Sequence, residues 1–233
     1  MAVAFDASSN ATAGGGNLSW THTPVGTPRG VVVLIAGDTG ADDVTGVTYG
    51  GVAMTEVTGS PNVKAAVEAG GTYVYFLGAS IPTGPQTVTV TVSGGQHLAS
   101  AVSLTASDDT EIVDTDATIN SDSSANPSAT LPLGARTCWC GEALFSGQNA
   151  VTGITPLSGW TSVQEVDIGT ECGAVYRYNT IDSTDVTMGW TQTAEDAVSL
   201  GVAVSEIVVG GGQPAIKRYG GVPFTRPTPP GLW

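Results

Sequence analysis

The sequence predicts an all-β protein, an antiparallel β-sandwich or jelly roll built from two similar halves and followed by an extended C-terminal arm. Three observations predict it: Gly-punctuated runs of β-branched residues, a repeat of those runs in the same order, and a proline-rich ending. In residues 87–92, Thr and Val alternate strictly, which puts the Val side chains on one face of a strand. No stretch of ten residues shows convincing 3.6-residue periodicity, so long amphipathic helices are not expected.

Strands are predicted wherever apolar or alternating runs are bounded by turn residues. Glycine pairs at residues 50–51, 70–71 and 94–95 mark the turns or bulges between some of them. The predicted strands of the first half are 17–21, 29–36, 47–49, 52–57, 72–77, 86–93 and 98–105. Those of the second half are 129–133, 137–145, 160–166, 173–178, 185–192 and 197–207.

Five segments of the first half recur in the second half in the same order, shifted by about one hundred positions. Residues 52–57 and 160–166 both end in Glu-Val, for example, and residues 99–104 resemble 197–202. Shared strand propensity is the alternative explanation, because strand patterns are degenerate. The repeat predicts one body, residues 1–209, with halves at about 1–107 and 128–209.

Between the halves lies an acidic stretch, residues 108–127, rich in Ser, Asn and Thr. This composition predicts a solvated loop or connection. The halves are either two immunoglobulin-sized sandwiches or the two parts of one jelly-roll sandwich. We expect one sandwich, because the connection is not a clean Gly/Pro hinge.

The ending, residues 210–233, differs in kind from the body. A Gly-rich joint leads into a segment with four prolines, which exclude a helix or a central strand. The segment carries three basic residues and no acid, although the whole chain has a net charge of −14. Aromatic residues and Arg are favoured anchors of interfaces, so we expect partner contacts from Lys217, Arg218, Tyr219, Phe224, Arg226 and Trp233. The alternative is that this arm folds back on its own acidic body.

Composition and charge exclude several classes of partner. A net charge of −14 repels nucleic acid and anionic membranes, so neither is expected as a partner. No signal peptide or membrane-spanning run is visible. A composition typical of extracellular proteins without an export signal is expected of virus-particle proteins that assemble in the host cytoplasm.

Catalytic and cofactor-binding machinery is not recognisable. His22 and His97 lie in different predicted strands, and no nucleophile elbow or P-loop occurs. Cys138 and Cys140 share one strand face and Cys172 is the third thiol, too few ligands for a structural zinc site. Buried thiols are expected, with a disulfide from Cys172 to one of the pair as the alternative. No cofactor is expected.

Two further groups of residues have both a structural and a functional interpretation. Asp38, Asp42 and Asp43 cluster in a Gly-rich loop, where they either solvate a turn or supply oxygen ligands to Ca²⁺. A glycosidase carboxylate pair is the weakest interpretation. The tryptophans of the strand patterns either pack in the core or line a sugar-binding groove; they are Trp20, Trp139, Trp160 and Trp190.

The body carries a resemblance to a known type of protein. Residues 17–22 (NLSWTH), 47–55 (VTYGGVAMT) and 84–90 (GPQTVTV) resemble a β-sandwich type found in phage particle proteins and some bacterial surface proteins. Residues 189–193 (GWTQT) continue the resemblance, which covers most of residues 1–207. The ending, with residues 217–224 (KRYGGVPF), is similar to the C-terminal arms of small phage structural proteins.

The resemblance implies an assembly role and transfers no catalytic residue. We expect a non-enzymatic virion structural protein of a tailed bacteriophage, with capsid decoration or another head-associated role first. Its expected partners are other virion proteins, capsid or tail subunits, and further copies of itself in a homo-oligomer. The alternatives are a tail or receptor-binding protein, and a carbohydrate-binding β-sandwich module that presents exposed aromatic side chains.

Overall fold

A computed structural model describes residues 2–65, 68–115, 118–148, 150–179 and 183–207. These residues form nineteen β-strands and one short 3-10 turn, Val151–Gly153, so the all-β prediction is confirmed. The strands are β1 (Ala4–Ala13), β2 (Leu18–His22), β3 (Gly30–Gly37), β4 (Val44–Tyr49), β5 (Val52–Ala53), β6 (Thr55–Glu56), β7 (Asn62–Lys64), β8 (Gly70–Leu77), β9 (Gln86–Val92), β10 (His97–Thr105), β11 (Thr110–Asp114), β12 (Thr118–Ser124), β13 (Ser128–Leu131), β14 (Cys138–Ser146), β15 (Thr155–Pro156), β16 (Trp160–Ile168), β17 (Glu171–Tyr178), β18 (Val186–Thr191) and β19 (Glu195–Glu206).

Every predicted strand is present, but the acidic stretch 108–127 was wrongly predicted as a loop. It contains β11 and β12, which both pair with β19. Thr110 lies opposite Glu206, and Thr118 lies opposite Leu200. Both strands lie at the edge of a sheet, where polar residues are tolerated and blunt the edge, and this composition hid them in the sequence.

Each half contributes one large and one small antiparallel sheet. The first large sheet has the order β1-β10-β3-β8-β6, with β7 also pairing with β8, and the first small sheet is β2-β9-β4-β5. The second large sheet has the order β11-β19-β14-β17-β16, with β12 also pairing with β19, and the second small sheet is β13-β18-β15. The order of corresponding strands is the same in both halves, which confirms the prediction of two similar halves.

A shared irregularity shows how closely the halves correspond. In β1 the pairing skips Asp6, so Phe5 lies opposite Leu104 and Ala7 lies opposite Ser103. In β11 the pairing skips Val113, so Ile112 lies opposite Val204 and Asp114 lies opposite Ala203. A β-bulge at the same place in both sheets is a specific feature of a strand pair. It fixes which residues of the two halves are equivalent.

The preference for a single sandwich is corrected by the layer order. Large and small sheets pack on each other within each half, and the two large sheets pack back to back, so the protein has four layers. Three cores result, which we call the first inner core, around Val33, the second inner core, around Leu144, and the middle core, around Val32 and Phe145. One sandwich was the wrong choice because each large sheet is apolar on both faces.

Burial on both faces explains the uninterrupted apolar runs. All residues of β3 and β14 are buried, as expected of strands covered on both sides. Glycine lets the large sheets approach closely in the middle core. A Cβ atom at Gly70 of β8 would lie 2.2 Å from the ring of Phe145 in β14.

The large sheets are stacked like the two subunits of a two-fold dimer. At one side β1 lies on β16, where the Asn10 side-chain amide donates to the Val163 carbonyl at 3.0 Å. At the other side β6 and β7 lie on β11 and β12, where the Asn62 amide donates to the Ile119 carbonyl at 2.8 Å. Because β1 corresponds to β11 and β12, and β16 to β6 and β7, the two sides are equivalent.

No helix within the described ranges has the length and apolar character that a membrane crossing requires.

Candidate binding groove

The first inner core contains a polar network built on Asp43. The side chain of Asp43 is 6% exposed and lies 3.1 Å from His97 Nε2. The Tyr73 hydroxyl lies 2.7 Å from Asp43 Oδ1 and also reaches the Ala41 carbonyl at 2.8 Å. Burial alone would raise the pKa of Asp43, but hydrogen bonds from His97, Tyr73 and Thr39 outweigh it and hold the pKa below its usual value.

The three loop acids Asp38, Asp42 and Asp43, for which Ca²⁺ binding was the alternative to solvating a turn, have different surroundings. Asp43 points inward, Asp42 is exposed, and Asp38 accepts the Gln96 backbone N–H at 2.6 Å. Across the described ranges, no three His, Cys, Asp or Glu side chains come close enough to hold a metal ion. The Asp38 and Asp43 carboxylates lie on either side of Gly95, where a Cβ atom would be 2.9 Å from Asp38 Oδ1 and 3.3 Å from Asp43 Oδ2. Asp38 stabilises a turn, and Asp43 supports the buried network.

His22 belongs to a separate network at the edge of the first sandwich. Its Nδ1 atom lies 2.8 Å from the Ser9 hydroxyl, which also accepts the Trp20 indole N–H at 2.9 Å. Burial lowers the pKa of His22, against the opposing effect of the Asp6 charge. The network ties β1 to β2.

The second inner core encloses an acid, Glu142. Its side chain is fully buried, and Oε2 accepts the Gly189 backbone N–H at 3.1 Å. Burial raises the pKa of Glu142 to about 8, against the opposing hydrogen bonds from Ser199 and Gly189. A carboxyl group in this position is protonated at neutral pH and lies out of reach of a substrate.

The cysteines and tryptophans are core residues. Cys138, Cys140 and Cys172 are free and buried, so the disulfide alternative is wrong in this structure. Trp139 and Trp190 are fully buried and Trp160 is 5% exposed, which confirms core packing for these three. Trp20 is half-buried against Ser9. The tryptophan platform of a sugar-binding module is therefore not formed.

An open groove lies where the two halves meet, between β6 and β11. Its volume is about 400 Å³. Apolar side chains of both large sheets form the floor, and hydroxyl and carboxylate groups lie along it. The lining residues are Thr55, Glu56, Val57, Thr58, Phe76, Ile112, Val113, Asp114 and Thr115.

Local contacts hold the groove in shape. The Ser60 hydroxyl donates to Glu56 Oε1 at 2.7 Å, which fixes the carboxylate beside β6. The Thr115 hydroxyl donates to the Thr58 carbonyl at 2.5 Å and bridges the two halves. The start of β11 and the Phe76 ring lie close to the backbone of Gly78. A Cβ atom at Gly78 would lie 2.2 Å from the Thr110 carbonyl oxygen.

Sequence reasoning did not single out any lining residue of this groove. Residues 55–58 and 112–115 are far apart in the chain and meet only through the stacking of the large sheets. The residues predicted to bind a partner lie outside the described part of the chain; they are Lys217, Arg218, Tyr219, Phe224, Arg226 and Trp233.

The groove has the chemistry of a binding site for an extended segment. It combines apolar side chains with hydroxyl groups and two carboxylates. No protein-family model, curated protein or solved structure matches this chain.

Proposed function

We propose that this chain is a non-enzymatic structural protein of a tailed-bacteriophage particle, which decorates or otherwise associates with the head and is anchored by its C-terminal arm, residues 210–233. It assembles in the host cytoplasm with other virion proteins and with further copies of itself. It takes no cofactor, nucleic acid or membrane as a partner.

One observation carries the proposal: both histidines and two acids of the body are used to build its cores. His22, His97, Asp43 and Glu142 are buried inside the two sandwiches, where each has a structural partner. A particle component needs a body of fixed shape more than a reactive cleft, and two sandwiches joined by a middle core supply one.

The charge distribution supports the same proposal. The body carries all 21 acids of the chain, whereas the charged residues of the arm are all basic. Charge of one sign keeps free bodies apart in solution, and an arm of the opposite sign provides specific attachment. The five prolines of the arm limit the entropy lost when it docks.

The test is to locate the chain in purified particles of the virus that encodes it. Antibodies against the recombinant body would be used for immunogold electron microscopy, with an antibody against a host cytoplasmic protein as the control. We expect regularly spaced label on the head. Label confined to the tail would replace the head assignment with a tail role, and absence of the chain from washed particles would overturn the proposal.

A further inference from the structure

The groove breaks the two-fold relation between the halves. Phe76 lies opposite Val32 in the first large sheet, and Arg177 lies opposite Gly141 at the equivalent place in the second. The bulge makes Ile112 the equivalent of Phe5. The side of the stack at β1 and β16 is therefore the counterpart of the groove.

That counterpart is closed by the chain's own residues. The Arg177 guanidinium lies 4.4 Å above the centre of the Phe5 ring, a cation–π contact between the two halves. The Gln164 side-chain amide donates to the Ala11 carbonyl at 3.3 Å, and this bond spans the same two edges. This side of the stack supplies both the aromatic ring and the cation.

The groove has an aromatic ring and acids where its counterpart has a cation. Phe76 takes the place of Arg177, Asp114 the place of Ala7, and Glu56 the place of Ser162. The nine lining residues include two carboxylates and no basic side chain. Such a site complements a cationic side chain carried on an apolar segment, through the ring face and charge-assisted hydrogen bonds.

We propose that the groove receives the C-terminal segment, residues 214–233, of a second copy of this chain, an inference that rests on the proposed assembly role and names its docking surface. This segment has the required composition: Lys217, Arg218 and Arg226 stand among Tyr219, Phe224 and other apolar residues. The same features exclude nucleic acid and anionic lipid as occupants, because the carboxylates of the groove repel phosphate.

The direction of the last strand favours a second copy over the chain's own groove. Ala203 lies opposite Asp114, Glu206 lies opposite Thr110, and the Ile207 N–H donates to the Asp109 carbonyl at 2.9 Å. The last described strand, β19, thus ends beside the start of β11 and points away from the groove residues 112–115. A segment that docked in the chain's own groove would have to reverse that direction, whereas reciprocal exchange between two copies gives a closed dimer.

The experiment compares the full chain with a chain that ends at residue 213, by sedimentation velocity. We expect a dimer for the full chain and a monomer of unchanged circular dichroism for the truncated one. A fluorescein-labelled peptide of residues 214–233 is then titrated into the truncated chain. The double variant Glu56→Gln/Asp114→Asn should weaken peptide binding at least tenfold.

A matched control removes the same charge elsewhere. Asp42→Asn/Asp167→Asn changes two exposed acids outside the groove and should leave peptide binding within about twofold of the parent, since distant exposed charges are largely screened. Equal weakening by both double variants would show general charge attraction and overturn the site. A monomeric full chain would overturn exchange between copies, and a truncated chain that does not bind the peptide would overturn the groove as the acceptor.

Particle composition is measured separately. If peptide binding and dimerisation behave as expected while the chain is absent from particles, the proposed function fails and the docking surface remains. If the chain is present in particles but the peptide does not bind, the docking surface fails and the proposed function remains.

Discussion

Val33 in the first half and Glu142 in the second occupy the same position of equivalent strands. Val33 lies opposite Ala101 across the pair of β3 and β10, and Glu142 lies opposite Gly201 across β14 and β19. Both side chains are fully buried and face the inner core of their own half. One fold thus accepts either an aliphatic side chain or a carboxyl group at this site.

The difference is compensated in part by the neighbours of the acid. Gly189 provides the N–H that Glu142 Oε2 accepts, and Ser199 stands where the first half has Ala99. Among the described residues, Glu142 Oε1 has no hydrogen-bond partner, which fits a protonated carboxyl group. Gly189 has φ of +130°, and a Cβ atom there would lie 2.2 Å from the Pro127 carbonyl oxygen, so glycine is required. A buried polar group is tolerated when its partners change with it.

A substitution in the middle core should have the largest effect on stability, because both halves pack against this core. Phe145→Ala removes the ring that packs over Gly70 and leaves a cavity between the large sheets. We expect a loss of about 3–5 kcal/mol in the free energy of unfolding, measured by urea denaturation with fluorescence and circular dichroism. Val25→Ala, at a residue that is 86% exposed, is the control and should change little. Two separate transitions in the parent would contradict joint folding of the halves.

Glu142, which stands where the first half has Val33, should make the stability of the protein depend on pH. Because its pKa is raised from 4.5 to about 8, the folded protein keeps a proton that the unfolded chain releases between these values. Stability therefore falls as pH rises from about 5 to about 8 and levels off above that. Glu142→Gln should remove this dependence, so that the parent loses on the order of a few kcal/mol relative to the variant across the window. Urea midpoints of both proteins at several pH values measure it, and parallel curves would contradict a protonated Glu142.

Lys64 distinguishes the two sides of the stack. It lies at the position of Ile168, since Lys64 lies opposite Gly70 and Ile168 opposite Glu171. Its ammonium group, with only 8% of the side chain exposed, pairs with Asp122 and lies 3.3 Å from Asp196 of the second half.

Lys64→Met should cost about 1–3 kcal/mol in the free energy of unfolding, because Asp196 is left without its cation in a largely buried site. The control is Arg29→Met, whose exposed pair with Asp109 at 3.8 Å should contribute less than about 1 kcal/mol. Thermal and urea unfolding of the two variants decide it. Equal losses in the free energy of unfolding for the two variants would contradict a larger contribution from the ion pairs of Lys64 between the halves.

Local patterns in the sequence were sufficient for most of the central strands and for the repeat, because period-2 alternation and turn residues are local signals. They did not reveal β1, β7, β11, β12 or β15. The four layers also left a signal that was missed: residues 30–37 and 138–146 are apolar without alternation, as in strands buried on both faces. The polar strands β11 and β12 carried no such signal, since their edge position favours the composition of a loop.

Local sequence patterns could not predict the candidate groove, for a different reason. Glu56 and Asp114 have no relation in the sequence and come together only when the large sheets stack. Asp38, Asp42 and Asp43 cluster in the sequence but have different roles: Asp43 is buried in a hydrogen-bond network, Asp42 is exposed, and Asp38 accepts a backbone N–H. Proximity along a strand or loop says little about which way a carboxylate points.

The most direct measurement of the central claim is the protein composition of purified particles made with the full chain or with a chain that ends at residue 213. Quantitative mass spectrometry of washed particles gives the copies of this chain per copy of the major capsid protein. Our account predicts a fixed ratio for the full chain and near-complete loss of the truncated one, which is still folded by circular dichroism. Equal amounts of both chains in the particles would contradict anchoring by the arm.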